Sequence, residues 1–381
     1  MSASGGAPGL GPAEPIPLTV LTGFLGAGKT TLLNRLLRDP ELADAAVLVN
    51  EFGEIGLDHL LVEHVRDDGL VMLTTGCLCC TMRGDLATAL EKLLREFDNG
   101  RATFRRVVIE TTGLADPAPI LHTTMAHPYL LLRFRLDGVV TVIDAVNAMA
   151  TLDAHPESVK QVAVADRLVL TKTDLLANDP QRTALDELVA RLAALNPAAP
   201  RLDAARGEAT PARLLDCGLY NPATKIPDVK RWLAEDAYGE HDHRHAHVHG
   251  HDVNRHNDDI RAFSLATEAA LPASAFEMFL ELLRSVHGPD LLRLKGIVKI
   301  CEQPETPLVI HGVQHLLHPA ARLAHWPDGD RRTRLVFIVR AAAARKVEEL
   351  FRAFLSAAAP DRPDRLALID NPLTPFGGAD R

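Results

Sequence analysis

Apolar runs and helix-spaced leucines alternate along the first half of the chain. The run IPLTVLTG at Ile16–Gly23 is rich in β-branched residues and ends in glycine, which is typical of a strand that enters a tight loop. Strand-like runs recur as AAVLVNE, LVMLTT, RRVVIET, LDGVVTVIDA and RLVLTKTD, and several are apolar almost throughout, as in strands covered on both faces. This alternation predicts an α/β domain over residues 16–220, with a doubly wound, mostly parallel sheet.

Helices are predicted between these strands from apolar residues at one-face spacing. The first such face follows the glycine-rich loop and consists of Leu32, Leu33, Leu36 and Leu37. The second comprises Leu86, Leu90, Leu93, Leu94 and Phe97, and the third comprises Leu185, Leu188, Val189 and Leu192. For the third helix we predict Asp179 as the N-cap and Pro180 as the first helical residue, because both residue types favour helix starts.

The pattern changes after residue 220. The stretch GEHDHRHAHVHGHDVNRHNDD has no apolar periodicity and predicts a solvated linker over 221–257. Beyond it, strand-like runs such as DIRAFSLAT and RRTRLVFIVR accompany a helix whose apolar face carries Phe276, Phe279, Leu280 and Leu283. With a closing helix at 345–356, these elements predict a smaller α+β domain over 258–357. Residues 1–15 and 358–381 are predicted to be flexible tails.

Composition narrows the classes of protein that fit. The chain has 381 residues, of which 47% are hydrophobic and 24% charged, enough for two globular domains. Apolar runs fall short of the about 18 to 20 residues that a membrane helix needs, and the start lacks the features of a secretory signal. We therefore expect a cytoplasmic protein without a membrane partner. The net charge of −9 argues against a nucleic-acid partner and favours small molecules, metals or proteins.

A phosphate-binding loop is predicted from GFLGAGKT, which fits G-x-x-x-x-G-K-[ST] between a strand and a helix. Glycines are needed because the backbone must wrap closely round phosphate oxygens. Lys29 would reach the β- and γ-phosphates, and the Thr30 hydroxyl would bind Mg²⁺. The alternative is a glycine-rich turn without a ligand. The predicted nucleotide contacts here are Gly23, Gly26, Ala27, Gly28, Lys29, Thr30 and Thr31.

The run VVIETTG adds a carboxylate and a glycine at a strand end. Glu110 is predicted to hold Mg²⁺ or its water, and Gly113 to sense the γ-phosphate. The alternative is a solvated carboxylate. Lys29, Thr30 and Glu110 are thus the catalytic candidates. Since glutamine does not follow Gly113, the residue that positions the attacking water is unidentified, and we predict slow intrinsic turnover.

The run VLTKTD resembles the guanine-recognition motif N-K-x-D. An aspartate at position 174 can accept hydrogen bonds from N1–H and the 2-amino group of guanine, a pair that adenine lacks. Thr171 stands where the motif has asparagine and forfeits an amide contact, so we expect GTP selectivity with weaker affinity. Thr171, Lys172 and Asp174 are the predicted base contacts. The alternative is a Lys/Asp turn after a strand.

Three thiols are crowded into GCLCC, at Cys77, Cys79 and Cys80. Such near neighbours do not suit disulfides, whereas soft thiolates suit zinc, with cobalt or copper(I) as alternatives. Three ligands leave a fourth place for water, for Glu51 or for a ligand from another protein, as metal exchange requires. A turn must gather the thiols, and a helix opening near Arg83 to Asp85 would supply it. The alternatives are small buried residues or a redox pair.

A weak accessory metal site is predicted in the histidine tract. Alternating histidines raise the local concentration of divalent ions, and the bland alternative is a polar linker. The residues are His241, His243, His245, His247, His249 and His251.

In their order along the chain, TVLTGFLGAGKTTLLN, VNEFGEIGLD, GCLCC, ETTGLADP and TKTD resemble the CobW-type family of P-loop GTPases, which act as metallochaperones and insertases. The resemblance spans nearly the whole chain, including a histidine-rich connector and a small C-terminal domain. It implies Mg²⁺-dependent GTP hydrolysis coupled to the transfer of a metal to a client metalloprotein. Zinc is the broadest cargo, and some members insert cobalt for cobalamin synthesis or activate nitrile hydratase with cobalt or iron.

Three functions remain open at the level of sequence. In the first, GTP orders NEFGEIGLD and the loop after Glu110, which reshapes the cysteine turn and drives metal transfer. In the second, the chain is a metal buffer or sensor that binds nucleotide without transfer. A P-loop kinase for small molecules is disfavoured because Asp174 specifies a base and a second substrate pocket is not evident. A second copy of the chain is a further candidate partner.

Overall fold

The computed structural model describes residues 15–49, 82–176, 178–215, 260–317 and 320–357. Their strands form two six-stranded sheets, and the first has the order β2-β3-β1-β4-β5-β6 with every pair parallel. The predicted doubly wound sheet is confirmed. Its strands are β1 (Ile16–Gly23), β2 (Ala45–Val49), β3 (Arg106–Glu110), β4 (Phe134–Asp144), β5 (Arg167–Thr171) and β6 (Arg201–Asp203).

Helices cover both faces of this sheet because neighbouring residues on its strands point to opposite sides. Val107 and Ile109 of β3 pack in one apolar cluster with the second and third helices, whereas Val108 packs with the first. The helices are α1 (Lys29–Leu36), α2 (Met82–Asp98), α3 (Ala118–Ala126), α4 (Pro128–Arg133), α5 (Ala148–Ala154), α6 (Pro156–Ala163), α7 (Asp179–Leu195) and α8 (Pro211–Leu214).

The predicted start of α7 was wrong by one residue. Asn178, not Asp179, is the N-cap, and its side chain accepts a hydrogen bond from the Gln181 N–H at 3.0 Å. The Gln181 side chain in turn accepts a hydrogen bond from the Asn178 N–H, which completes a capping box. Asp179 is therefore the first helical residue, and its carboxylate lies in the first turn, where the helix dipole favours negative charge.

The second sheet is antiparallel, with the order β10-β9-β8-β12-β7 and β11 paired to β9. Two helices, α9 (Ala273–His287) and α10 (Ala341–Ala357), pack on it around Phe279, Phe337 and Phe351. Its strands are β7 (Ile260–Thr267), β8 (Leu291–Val298), β9 (Leu308–Val313), β10 (Leu316–Leu317), β11 (Ala321–Arg322) and β12 (Thr333–Arg340). The predicted smaller α+β domain is confirmed.

The closing helix α10 begins earlier than predicted, at Ala341 and not at Arg345. Residues 341–344 are all alanine and continue directly from β12. Alanine has the highest helix propensity, so the helix starts as soon as the strand ends. Apolar spacing alone does not detect this start. In the part of the chain that the structure describes, these helices and the others are too short or too polar to cross a membrane.

A buried ionic cluster joins the two domains. Asp166, at the turn before β5, accepts hydrogen bonds from Arg293 Nη2 at 2.6 Å and Lys295 Nζ at 2.5 Å, both on β8. Its second oxygen accepts the Val139 N–H at 2.9 Å. Burial opposes ionisation of Asp166, but the nearby charges of Arg293, Lys295 and His311 outweigh it and hold the pKa of this carboxyl well below its usual range.

Candidate nucleotide and metal site

The phosphate-binding loop lies where the sequence predicted it, between the end of β1 and the start of α1. Gly23, Gly26 and Gly28 all have positive φ, at 142°, 71° and 91°. At Gly28, the N-cap of α1, this left-handed conformation turns the chain directly into the helix. The N-terminal end of α1 therefore faces the loop, as phosphate binding requires.

The three predicted catalytic residues lie at this loop. Lys29 is buried, and its Nζ donates to the Phe24 carbonyl inside the loop at 3.1 Å. The Thr30 hydroxyl donates to Glu110 Oε1 at 2.7 Å, and Glu110 is itself buried at the end of β3. A hydroxyl beside a carboxylate is a donor set that suits Mg²⁺. Thr31 follows in the first turn of α1 and is exposed.

Gly113 is in direct contact with the phosphate-binding loop. A Cβ atom added to it would lie 2.5 Å from the Leu25 nitrogen, so only glycine fits this approach. The loop after β3 is also tied to α6, since Gln161 Nε2 donates to the carbonyls of Gly113 at 3.3 Å and Ala115 at 3.0 Å. The residue predicted to sense the γ-phosphate therefore lies against the backbone that would bind it.

The same loop reaches the C-terminal domain through Asp116. One carboxylate oxygen of Asp116 accepts the Ala118 N–H at 3.0 Å, at the start of α3. The other accepts Lys160 Nζ at 3.2 Å and Gln314 Nε2 at 3.4 Å. Gln314 belongs to the turn between β9 and β10 and has a φ of 53°. One carboxylate oxygen on the loop after β3 thus accepts hydrogen bonds from α6 and from a turn of the second domain.

The predicted base-recognition residues lie at the end of β5. The Thr171 hydroxyl donates to the Ala27 carbonyl at 2.7 Å, with a second acceptor, the Ile143 carbonyl, at 3.1 Å. This threonine therefore fastens β5 to the phosphate-binding loop. Lys172 has a φ of 59° and precedes the 3₁₀ turn Thr173–Leu175, on which Asp174 is exposed. An exposed carboxylate at this position is available to a base.

Two carboxylates that the sequence analysis did not single out hold this motif in place. Lys172 Nζ lies 2.8 Å from Asp144 Oδ2 at the end of β4, and the Thr173 hydroxyl donates to Asp203 Oδ1 at 2.7 Å at the end of β6. Burial favours protonation of Asp144, but bonds from Lys172 and Asn147 outweigh it and lower its pKa. Both residues lie at the ends of strands, as Glu110 does. A carboxylate at a strand end is the sequence signal that could have identified them.

A cleft of about 180 Å³ opens beside the phosphate-binding loop. Phe24 and Leu25 form one wall, and the end of β4 with Asp144 and Asn147 forms another. The Phe24 ring lies 4.5 Å from the His155 ring, centroid to centroid. The cleft extends the nucleotide edge of the sheet toward α5.

Several predicted metal residues lie outside the described residues: Cys77, Cys79, Cys80, Glu51 and the six histidines from His241 to His251. So do the predicted linker and most of both tails. The helix expected near Arg83 begins at Met82, two residues after Cys80. Within the described ranges, groups of three or more His, Cys, Asp or Glu suited to a metal do not occur.

These features define a P-loop NTPase. The phosphate-binding loop joins the first strand and first helix of a parallel sheet, and the neighbouring strand ends in a carboxylate bonded to the loop's threonine. A family model described as the CobW/HypB/UreG nucleotide-binding domain matches residues 17–202. A second, the cobalamin synthesis protein CobW C-terminal domain, matches residues 260–355. The chain belongs to the CobW family, as the resemblance of its motifs predicted.

Named relatives agree with this membership. The zinc chaperone YjiA of Escherichia coli (strain K12) is 34% identical over 325 residues, which cover 85% of this chain and 94% of that protein. The zinc-regulated GTPase metalloprotein activator 1 of Schizosaccharomyces pombe is 42% identical over 172 residues, or 44% of this chain and 41% of that protein. The crystal structure of Zn(II)-bound YjiA GTPase from E. coli aligns with a TM-score of 0.65 at 32% identity, covering 90% of this chain and 99% of that one.

Proposed function

We propose that this chain is a GTP-hydrolysing metallochaperone that binds zinc through Cys77, Cys79 and Cys80 and transfers it to client metalloproteins in a GTP-dependent step. The hydrogen bond from the Thr30 hydroxyl to the buried Glu110 carboxylate carries the nucleotide part of the proposal. The thiol cluster supports the metal part, together with relatives named as zinc chaperones and a zinc-regulated GTPase.

Phosphate binding would use groups that already converge on the loop. The α1 N-terminus supplies N–H donors, and Lys29 Nζ exchanges its bond to the Phe24 carbonyl for phosphate oxygens. Thr30 and Glu110 would hold Mg²⁺, which neutralises charge on the β- and γ-phosphates when bound. Lys29 and the loop amides orient the γ-phosphate for attack by water, which yields GDP and phosphate.

Selectivity for guanine would rest on Asp174, whose carboxylate is exposed at the nucleotide edge. Lys172 and Thr173, held by Asp144 and Asp203, fix the turn that carries it. An adenine base leaves the carboxylate without its pair of donors, and such a loss discriminates strongly between ligands.

Coupling of GTP to metal would pass through the core around β3. Gly113 lies against the Leu25 nitrogen, so a γ-phosphate bound at the loop amides changes the space available to Gly113. The cysteines lie in the chain between β2 and α2, and residues of both elements pack with Ile109 of β3 in one apolar cluster. A shift at the end of β3 therefore acts on both flanks of the thiol segment.

The test is to measure GTP hydrolysis with and without zinc, and zinc affinity in the GTP and GDP states. We expect hydrolysis to depend on zinc occupancy and the two nucleotide states to differ in zinc affinity. Equal rates and equal affinities would refute the coupling. The matched control is Lys29→Ala, which removes the amine proposed to bind phosphate. It should abolish GTP hydrolysis and leave zinc binding by the nucleotide-free protein intact.

A comparison of two variants separates transfer from buffering. Replacing Cys77, Cys79 and Cys80 together by serine should abolish GTP-dependent zinc transfer. Deleting residues 239–252 should lower the number of weakly bound zinc ions and leave transfer intact. The opposite pattern would favour a metal buffer or sensor. Repeating the assay with cobalt and iron distinguishes a zinc chaperone from an insertase for those metals.

A further inference from the structure

Thr112 is 7% exposed and lies in the sequence between Glu110 and Gly113 of the candidate nucleotide site. In the part of the chain that the structure describes, its Oγ1 makes no hydrogen bond. The neighbouring Thr111 differs, because its hydroxyl is paired with the Thr22 hydroxyl at 2.8 Å. A buried hydroxyl without a hydrogen-bond partner costs free energy, and a catalytic role or an ordered water is among the reasons that a native protein carries one.

The position of Thr112 points to that use. Val108 packs on the α1 side of the sheet and Glu110 bonds to Thr30 of α1, so this face of β3 looks toward the phosphate-binding loop. The Thr111 N–H donates to the Leu21 carbonyl of β1 at 2.9 Å, which extends the parallel ladder past the end of β3. Thr112 therefore follows Glu110 at the two-residue spacing of that face.

The next residue along the chain places Thr112 close to the loop that would bind the γ-phosphate. Gly113 touches the Leu25 nitrogen, so Thr112 is one residue from the backbone of the phosphate-binding loop. The residue after Gly113 is Leu114, which is 53% exposed and has no polar group with which to orient water. Leu114 therefore cannot position the attacking water, as a glutamine after Gly113 would. The Thr112 hydroxyl lies two residues earlier in the chain.

We propose that Thr112 Oγ1 positions the attacking water for GTP hydrolysis, an inference that rests on the proposed GTPase function. A threonine hydroxyl both donates and accepts. Oγ1 would accept a hydrogen bond from the water, and the water would donate its second hydrogen to a γ-phosphate oxygen. The water oxygen then bonds to the γ-phosphorus, the bond from that phosphorus to GDP breaks, and the water's proton passes to a phosphate oxygen. Thr112 stays chemically unchanged.

Two substitutions at this position test the proposal. Thr112→Val keeps the shape of the side chain and removes the hydroxyl, and it should lower kcat for GTP hydrolysis at least about tenfold. GTP affinity and KM should stay within about twofold, because the water is oriented after the nucleotide binds. Thr112→Ser keeps the hydroxyl and should retain most of kcat. A role in folding alone would not separate kcat from KM in this way.

Thr111→Val is the matched control one residue away. It removes the hydrogen bonds of the Thr111 hydroxyl to the Thr22 hydroxyl and to the Thr112 carbonyl, and it should lower the melting temperature with little effect on kcat. An unchanged kcat in Thr112→Val, or an equal loss in Thr112→Ser, would overturn the proposal while the GTPase function stands. Absence of hydrolysis in the unmodified protein, measured with GTP and Mg²⁺, would overturn both.

Discussion

Replacing Asp166 by asparagine would leave two buried cations without their counter-charge. The side chains of Asp166, Arg293 and Lys295 are 2%, 3% and 11% exposed, so solvent offers little compensation. Removing one partner of a buried ion pair costs about 3–5 kcal/mol, against about 0–1 kcal/mol for a surface pair. Burial already lowers the pKa of Lys295, so loss of its proton relieves part of the penalty. We expect about 3 kcal/mol.

The assay is urea denaturation followed by tryptophan fluorescence. Trp326 forms an apolar cluster with Ile297 and Val309, and Ala198 of the first domain packs against this cluster. The other tryptophan is Trp232, and a Trp232→Phe background isolates the signal. We expect Asp166→Asn to lower the midpoint without changing the slope, which marks a change in stability.

The matched control changes an exposed acid to its amide in the same way. Glu305 lies 2.8 Å from Arg331, and the two side chains are 71% and 60% exposed. Glu305→Gln should therefore cost no more than about 1 kcal/mol. An equal, small loss for Asp166→Asn would refute the reasoning from burial.

The pH dependence supplies a second check with a defined sign. The pKa of Asp166 is lower in the folded protein than in the unfolded chain, where it is about 3.9. Its contribution is therefore fully present above pH 4 and is lost as the pH falls from there toward the folded-state value. The stability difference between the parent protein and Asp166→Asn should therefore shrink as the pH falls below 4.

Three further predictions concern the loops at the nucleotide edge. Thr171→Val removes the bond to the Ala27 carbonyl, worth about 0.5–1.5 kcal/mol, so calorimetry should show GTP affinity falling about 2- to 12-fold. Gly113→Ala places a Cβ 2.5 Å from the Leu25 nitrogen and should lower stability by about 1–3 kcal/mol in thermal unfolding, whereas an unchanged melt would contradict the close approach. Gln314→Ala removes an interdomain hydrogen bond and should weaken any GTP-induced change in Trp326 fluorescence; an undiminished response would exclude that contact as a route between the domains.

The parallel sheet could be predicted because each buried strand is a short apolar run, and burial on both faces leaves that mark in the sequence. The elements that were missed are short. The strand β6 has three residues, and α4 and α5 have six and seven. Segments of this length have weak periodicity and owe their structure to tertiary packing, which local patterns do not encode.

The candidate site likewise contains residues that the sequence predicts and residues that it does not. Lys29, Thr30 and Glu110 were predicted because phosphate binding imposes a fixed pattern on a loop and the neighbouring strand end. The partners that fix Lys172 and Thr173 come from strands distant in sequence, and a hydrogen bond across strands has no signature along the chain. Thr171 illustrates the limit. The motif predicted the loss of the asparagine amide contact, and only the packing of β5 beside the loop shows that the Thr171 hydroxyl bonds to the Ala27 carbonyl.

The two domains are joined by contacts of unequal strength, and this inequality bears on how nucleotide could move them. Asp166 is buried and bonded at 2.5–2.6 Å to β8, whereas Asp116 is half-buried and lies 3.4 Å from Gln314. Charged, desolvated bonds cost far more to break than a long bond to a neutral amide. The weak contact lies on the loop that touches the phosphate-binding backbone. If GTP binds as proposed, a γ-phosphate that displaced Gly113 would therefore break the Asp116–Gln314 contact more readily than the Asp166 cluster.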